Sequence, residues 1–150
     1  MHPPIIEKTL ANLPLTPNWI DSVQAREAFS WQSEARALAG LPGGGLNLAF
    51  EAVDRHAQGK NRLHTALRIL DRNGSGRDIS YAELSILTNR FANVLKKLGV
   101  LPGERLFVLC DRGLELYLGV LGGLKLGCVV SPLFCAFGPE PMETRMRLGE

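Results

Sequence analysis

Residues 79–137 read ISYAELSILTNRFANVLKKLGVLPGERLFVLCDRGLELYLGVLGGLKLGCVVSPLFCAF, and this stretch decides the fold. Ser80-Tyr81-Ala82-Glu83 is a capping box: the Ser80 hydroxyl can accept the free amide three residues on, and Glu83 can reach back. Ile79 and Leu84 stand where a hydrophobic staple closes over such a cap. Leu84, Leu87, Phe91, Leu95 and Leu98 recur at helical spacing. Lys96 and Lys97 suit the negative end of the helix dipole, and Gly99 suits the left-handed closing position. Pro102-Gly103 then turns the chain into an apolar strand, Arg105 to Cys110. A second helix follows from Asp111 or Arg112 to near Gly127, with Asp111 as the expected N-cap. Cys128 to Leu133 is the next apolar strand. Strand, helix, strand is a βαβ unit, so the fold class is α/β with a parallel strand pair and a right-handed crossover.

Upstream, Met1 to Pro17 is proline-rich and reads as extended. Asn18 to Ala39 is mostly polar, with Trp19, Ile20, Val23, Phe29, Trp31 and Leu38 as anchors for one or two short helices. Gly40-Leu41-Pro42-Gly43-Gly44-Gly45 is a break, after which Asn47 caps a helix from Leu48 to about Ala57. Asn73-Gly74 is a type I′ turn signal, so His64–Leu70 and Arg77–Ile79 are expected to pair as a hairpin.

Composition sets the class. Across 150 residues, 45% hydrophobic and 21% charged side chains describe a chain that buries a core. A net charge of +2 from scattered Lys and Arg gives no footprint for nucleic acid. Cys110, Cys128 and Cys135 form no CxxC pair and read as reduced, buried thiols of a cytoplasmic protein. No basic region followed by an apolar run marks the N-terminus as secretory. The most apolar segment, Leu114 to Val130, contains Glu115 and Lys125 and keeps only the nine uncharged residues Leu116 to Leu124 between them. A membrane span needs about twenty residues, so no membrane partner is expected. Gly119, Gly123 and Gly127 are read as one helix face lying close against sheet backbone.

Several residues invite chemistry. Gly43-Gly44-Gly45 before a helix suggests a phosphate cradle, but no strand precedes it and no Lys-Ser/Thr follows, so a plain junction is the better reading. Asp54-Arg55-His56 lines up an acid, a cation and a base, yet neighbours on a helix point about 100° apart and do not converge on one atom. Salt bridges or a helix end are the expected uses. His56 and His64 have no metal-ligand spacing. Asp111-Arg112-Gly113 and the loop Ser131 to Pro139 both sit at strand carboxyl ends, where α/β folds bind ligands. Two phenylalanines, Phe134 and Phe137, in that second loop suggest a ligand wall or packing on a neighbour.

Residues Ile79 to Glu150 resemble the early part of the AMP-forming, adenylating acyl-CoA synthetase superfamily. The shared pattern is Ser80-Tyr81-x-x-Leu84, Asn89-Arg90-x-Ala92, Leu98-Gly99-Val100 with Gly103-Glu104-Arg105-Leu106, and a glycine-ended helix. Gly43-Gly44-Gly45-Leu46-Asn47-Leu48 with Asp54-Arg55-His56 is similar to a segment of the short-chain branch, chiefly acetyl-CoA synthetases (acetate–CoA ligases). Pro132-Leu133-Phe134-x-Ala136-Phe137 is similar to a bacterial subgroup of them.

The resemblance runs from about Trp31 to Glu150, roughly the first quarter of such an enzyme. It implies an N-terminal extension over 1–45 and the truncated start of the large AMP-binding domain over 46–150. It also implies adenylation of acetate by ATP with Mg²⁺, then acyl transfer to coenzyme A. The phosphate loop, ribose-binding Asp and catalytic Lys of the family lie beyond residue 150, so no catalytic or metal residue is placed here. One contact is implied within the chain: the loop Phe134, Cys135, Ala136 would touch the coenzyme A arm. Family enzymes carry Phe-Gly-Gly there, and side chains now stand where glycines allow close backbone approach.

Taken alone, the 150 residues are expected to be inactive and to self-associate, since the chain ends on a helix with no strand after it. A stand-alone non-catalytic α/β interaction module, a relic of a truncated gene, and a ligase for propionate or another short acid are the rival readings.

Overall fold

A computed structural model describes residues 13, 15–17 and 19–149. The expected extended run Met1 to Pro17 therefore falls mostly outside the described residues. The chain divides into two compact units, Met1–Leu38 and Ala39–Glu150.

The first unit holds helices α1 (Ser22–Ala28) and α2 (Trp31–Arg36). Asp21 caps α1 by accepting from the amides of Val23 and Gln24, and Ser30 caps α2 through Ser33. The expected anchors are not buried there: Trp19 is 73% and Trp31 80% exposed, and neither helix has a buried residue.

The second unit opens with α3, a π-helical turn over Phe50–Asp54 that runs into an α-helical turn over Arg55–Ala57. Asn47 caps it as expected, its Oδ1 accepting from Ala49 and Phe50 at 3.0 and 3.1 Å. The π-turn was not legible in the sequence. Next come β1 (Thr65–Leu70) and β2 (Gly76–Ser80), an antiparallel hairpin in which Leu67 pairs with Ile79. Its turn is not type I′, because no described non-glycine residue has a positive φ, whereas Gly74 has φ 80°. Asp71 organises it instead: Gly74 donates to the Asp71 carbonyl, and Asp71 Oδ1 accepts from the amides of Asn73 and Ser75, both at 2.9 Å. That is a type I turn closed by a glycine bulge.

Helix α4 (Tyr81–Lys97) starts at Ser80, whose hydroxyl accepts from the Glu83 amide at 3.2 Å. Only half of the capping box forms, because the Glu83 carboxylate takes Arg77 Nη2 at 2.6 Å. Its buried residues are Leu84, Thr88 and Leu95. Leu98, expected on the same face, lies beyond the last turn and is 75% exposed. Thr88 is buried because its hydroxyl donates to the Leu84 carbonyl at 2.7 Å, which satisfies it within the helix. Gly99 closes the helix at φ 87°, with the Val100 amide returning to the Leu95 carbonyl.

Strands β3 (Arg105–Leu109) and β4 (Val129–Leu133) are parallel, with Arg105 opposite Val129 and Leu109 opposite Leu133. Helix α5 (Leu114–Leu126) joins them, and α6 (Pro139–Leu148) follows β4. The expected βαβ unit is therefore present, each strand one residue shorter than read. The glycines of α5 divide their work. A Cβ on Gly119 would stand 2.9 Å from Val108, and one on Gly123 would stand 2.6 Å from Leu106, so these two let the helix settle on the sheet. Gly122 faces α4 instead, where a Cβ would meet Phe91 at 2.7 Å and the Thr88 carbonyl at 3.0 Å. Gly127 is the helix's left-handed end, φ 90°. Among the described residues no helix is long and apolar enough to cross a membrane.

The core gathers Val53 from α3, Ile79 from β2 and Leu84 from α4. Beside it lies an ionic joint. Lys125 Nζ of α5 donates to Asp54 Oδ1 of α3 at 2.7 Å and to Asn89 Oδ1 of α4 at 2.8 Å. Ser85 of α4 also donates to Asp54 Oδ1, at 2.6 Å. The two charged side chains are only 8% and 14% exposed. Removing one partner of a shielded pair strands the other charge. Asp54→Ala is expected to cost about 3 kcal/mol in denaturant unfolding, with most of the loss recovered in the double replacement Asp54→Leu, Lys125→Met. A single variant that unfolds at the parent midpoint would show the joint to be dispensable.

Candidate functional site at the strand ends

Two loops meet beyond the carboxyl ends of the parallel strands. The first, Cys110 to Gly113, leaves β3 and enters α5; the second, Phe134 to Gly138, leaves β4 and enters α6. Parallel strands put successive βα loops on the same edge of the sheet, so this is where topology gathers functional groups.

Asp111 does not cap α5 as expected. Gly113 occupies the cap position without a side-chain bond, and the helix begins at Leu114. Asp111 acts instead on Cys135 of the second loop: the pull of its carboxylate on the thiol proton, with burial and its negative charge, raises the thiol's pKa above its usual value, and nearby Arg112 only partly offsets it. Arg112 itself points outward, exposed. The expectation of three buried thiols is corrected: Cys128 is buried, Cys110 half-buried and Cys135 exposed, all three free.

The second loop is a tight turn. The Phe137 amide donates to the Phe134 carbonyl at 3.0 Å, with Cys135 and Ala136 at the two central positions. Neither has a positive φ, so the turn does not require glycine. Phe134 is 56% exposed and stands edge-on to Phe137, ring centroids 5.6 Å apart at 87°. The Arg145 guanidinium of α6 lies 4.1 Å above the Phe137 ring. Sequence reasoning did not find Arg145; its position eight residues after Phe137, two turns along a following helix, was the only available signal.

The other tempting motifs are structural. The Gly40–Gly45 turn closes on itself, Leu41 donating to the Gly45 carbonyl and Gly44 to the Leu41 carbonyl. Glu51 accepts from the Ala39 and Gly40 amides at 3.1 and 2.7 Å and from Arg55 at 2.6 Å, and the Arg55 bond leads in holding its pKa below the ordinary value. The amides at the start of α3 are taken by Asn47 Oδ1, where a phosphate would have to bind. Asp54 and Arg55 each serve an ion pair, and the His56 ring packs 4.9 Å from Tyr81. Among the described residues no group of three or more His, Cys, Asp or Glu side chains could hold a metal.

Residues 53–150 match the family described as AMP-binding enzyme. The chain belongs to that family. The acetyl-coenzyme A synthetase of Bacillus subtilis is 35% identical over 125 residues, 81% of this chain and 21% of the relative. The 3-hydroxypropionyl-coenzyme A synthetase of Sulfurisphaera tokodaii is 29% identical over 121 residues, 81% of this chain and 18% of the relative. In three dimensions the chain is similar to an acyl-CoA synthetase of Brucella canis, with TM-score 0.75 and 30% identity over 84% of this chain and 23% of that one. The chain thus spans about a fifth of the length of these AMP-forming ligases and carries the N-terminal part of the adenylate-forming fold.

The effect of Asp111 on Cys135 gives this edge a titratable handle. A group with a raised pKa holds its proton to higher pH, so the Cys135 thiol is expected to alkylate slowly near neutrality. Asp111→Asn removes both the carboxylate acceptor and its charge, and the pH profile of Cys135 alkylation should move to lower pH. A profile that stays in place or moves up would mean the carboxylate does not hold the thiol.

Proposed function

We propose that the chain is part of an acetate–CoA ligase, with residues 1–45 as an N-terminal extension and 46–150 as the start of the adenylation domain. Acetate attacks the α-phosphate of ATP to give acetyl-adenylate and pyrophosphate. The thiol of coenzyme A then attacks the acyl carbon and AMP leaves. The observation that supports this reading is the pairing of the family match with an exposed loop, Phe134 to Ala136, at the strand carboxyl ends. Phe134 offers an exposed apolar ring to the pantetheine arm, and the turn that carries Cys135 and Ala136 has no positive φ that would demand the glycines it lacks. Mg²⁺, which neutralises phosphate charge in such reactions, finds no ligand cluster among the described residues. The three free cysteines suit a reducing, cytoplasmic setting.

A second short acid is favoured by one specific relative, the 3-hydroxypropionyl-coenzyme A synthetase. Pyrophosphate release by the protein expressed from its natural reading frame, with acetate, propionate and 3-hydroxypropionate in turn, ranks the acids. Acetate is expected to have the highest kcat/KM. In the same protein, Phe134→Ala should raise the KM for coenzyme A several-fold and leave that for ATP unchanged; an unchanged coenzyme A value assigns Phe134 to packing alone.

The 150 residues by themselves lack what adenylation needs. Positioning and charge stabilisation carry that chemistry, and the strand ends offer Asp111, exposed Arg112 and apolar side chains. One face of the β3–β4 pair also stays open as a groove of about 460 Å³ beside Phe107, Val129, Ser131 and Leu148. The isolated chain is expected to catalyse no acetate-dependent exchange between pyrophosphate and ATP, and to sediment as self-associated species. Exchange above background, abolished by Arg112→Ala, would place an adenylation site within these residues.

A further inference from the structure

We propose that Arg145 is a positioning residue that holds Phe137, and through it Phe134, in the orientation presented to coenzyme A. The proposal rests on the coenzyme A reading of the Phe134–Ala136 loop given above.

Three contacts form a chain from α6 into the loop. Arg145 Nη1 donates to the Pro141 carbonyl at 3.0 Å, which pins the guanidinium to the first turn of its own helix. From there the guanidinium covers the Phe137 ring at 4.1 Å. Phe137 meets Phe134 edge-on at 5.6 Å, and its amide closes the turn on the Phe134 carbonyl. A short loop with an exposed aromatic ring at its tip is therefore fixed from the α6 side, by a stacked cation and by the backbone bond that closes its turn.

The chemistry of Arg145 favours positioning over a direct ionic contact. Its face is spent on a ring and one of its nitrogens on a backbone carbonyl. Among the described residues the ion pairs involve other cations: Arg55, Arg68, Arg77 and Lys125. A planar guanidinium can stack and donate at once, which an ammonium does less well, so Arg145→Lys should restore the contact only in part. Phe137 gains the most from this arrangement, being half-buried while Phe134 next to it is exposed.

The test uses the protein expressed from its natural reading frame, with parent, Arg145→Met and Arg145→Lys compared in two measurements. The first is the alkylation rate of Cys135, read by peptide mass spectrometry with iodoacetamide as probe. This reports loop order without any ligand. The second is steady-state KM for coenzyme A, for dephospho-coenzyme A and for ATP. Loss of an exposed cation–π contact should speed Cys135 alkylation about threefold in Arg145→Met. The KM values for both coenzyme A forms should rise by the same factor, with kcat and the KM for ATP unchanged and Arg145→Lys intermediate. Alkylation at the parent rate overturns the positioning role. A loss confined to coenzyme A and absent with dephospho-coenzyme A also overturns it, because Arg145 would then bind the 3′-phosphate directly. Faster alkylation with unchanged KM for both coenzyme A forms overturns the coenzyme A reading of the loop and the proposal with it.

Discussion

The contact between Lys125 and Asp54 is the constraint on which the larger unit depends. It joins α5 to α3 across 71 residues of sequence at 2.7 Å, and Ser85 and Asn89 of α4 complete it. Two charges so little exposed would oppose folding if either stood alone. Together they fix the rotation of α5 about its own axis. That rotation sends Gly119 and Gly123 to the sheet and Gly122 to α4. A nearby polar tie reinforces it: Asn47 Nδ2 donates to the Leu124 carbonyl at 2.7 Å while its Oδ1 caps α3. One asparagine thus serves the start of one helix and the end of another. The π-turn at Phe50–Asp54 lies directly between Asn47 and the Asp54 carboxylate. A five-residue turn changes the angle at which a side chain leaves the helix.

How much of this was legible depended on the range of the interaction. The alternation of strand, helix and strand was readable because each element's signal is local: apolar runs of strand length, glycines at Gly99 and Gly127, a cap at Ser80. Lys125 was readable only as an interruption of an apolar segment. Nothing in its neighbourhood names Asp54, and a pair so distant in sequence leaves no periodic trace. The same holds for Gly122, which continues no obvious stripe with Gly119 and Gly123 but meets Phe91 of another helix. The hairpin was a subtler case. Asn73-Gly74 predicts the right place and the wrong turn, because the Asp71 side chain competes by holding two amides and steers Asn73 away from a positive φ.

The strand-end loops were legible in position but not in their contacts. A βαβ unit places Asp111 and the loop after Leu133 on one edge whatever their identities. Expecting Asp111 to cap α5 follows from local preference, since aspartate is a favoured cap. The structure places Gly113 at the cap without a side-chain bond, and the Asp111 carboxylate makes itself felt on the Cys135 thiol of the neighbouring loop instead. The proposal of coenzyme A as a ligand for this edge comes from resemblance, and no spacing of donors within these residues would have suggested it.

The replacement of two glycines by Cys135 and Ala136 can be judged on this geometry. A turn with positive φ at either central position would make both residues strained. Here both lie at negative φ, so the substitution carries no backbone penalty, and each β-carbon narrows the conformations open to the loop. Glycine at these positions would give close approach with freedom; cysteine and alanine give less room with more order. Cys135 also brings a thiol, absent from glycine, whose proton is held more tightly by the nearby Asp111. With Phe137 held under Arg145 on the other flank, Phe134 is left as the part of the loop that is both exposed and fixed. A ring held in place before a ligand arrives loses less entropy on binding, and that is what such a loop would offer to the proposed coenzyme A contact.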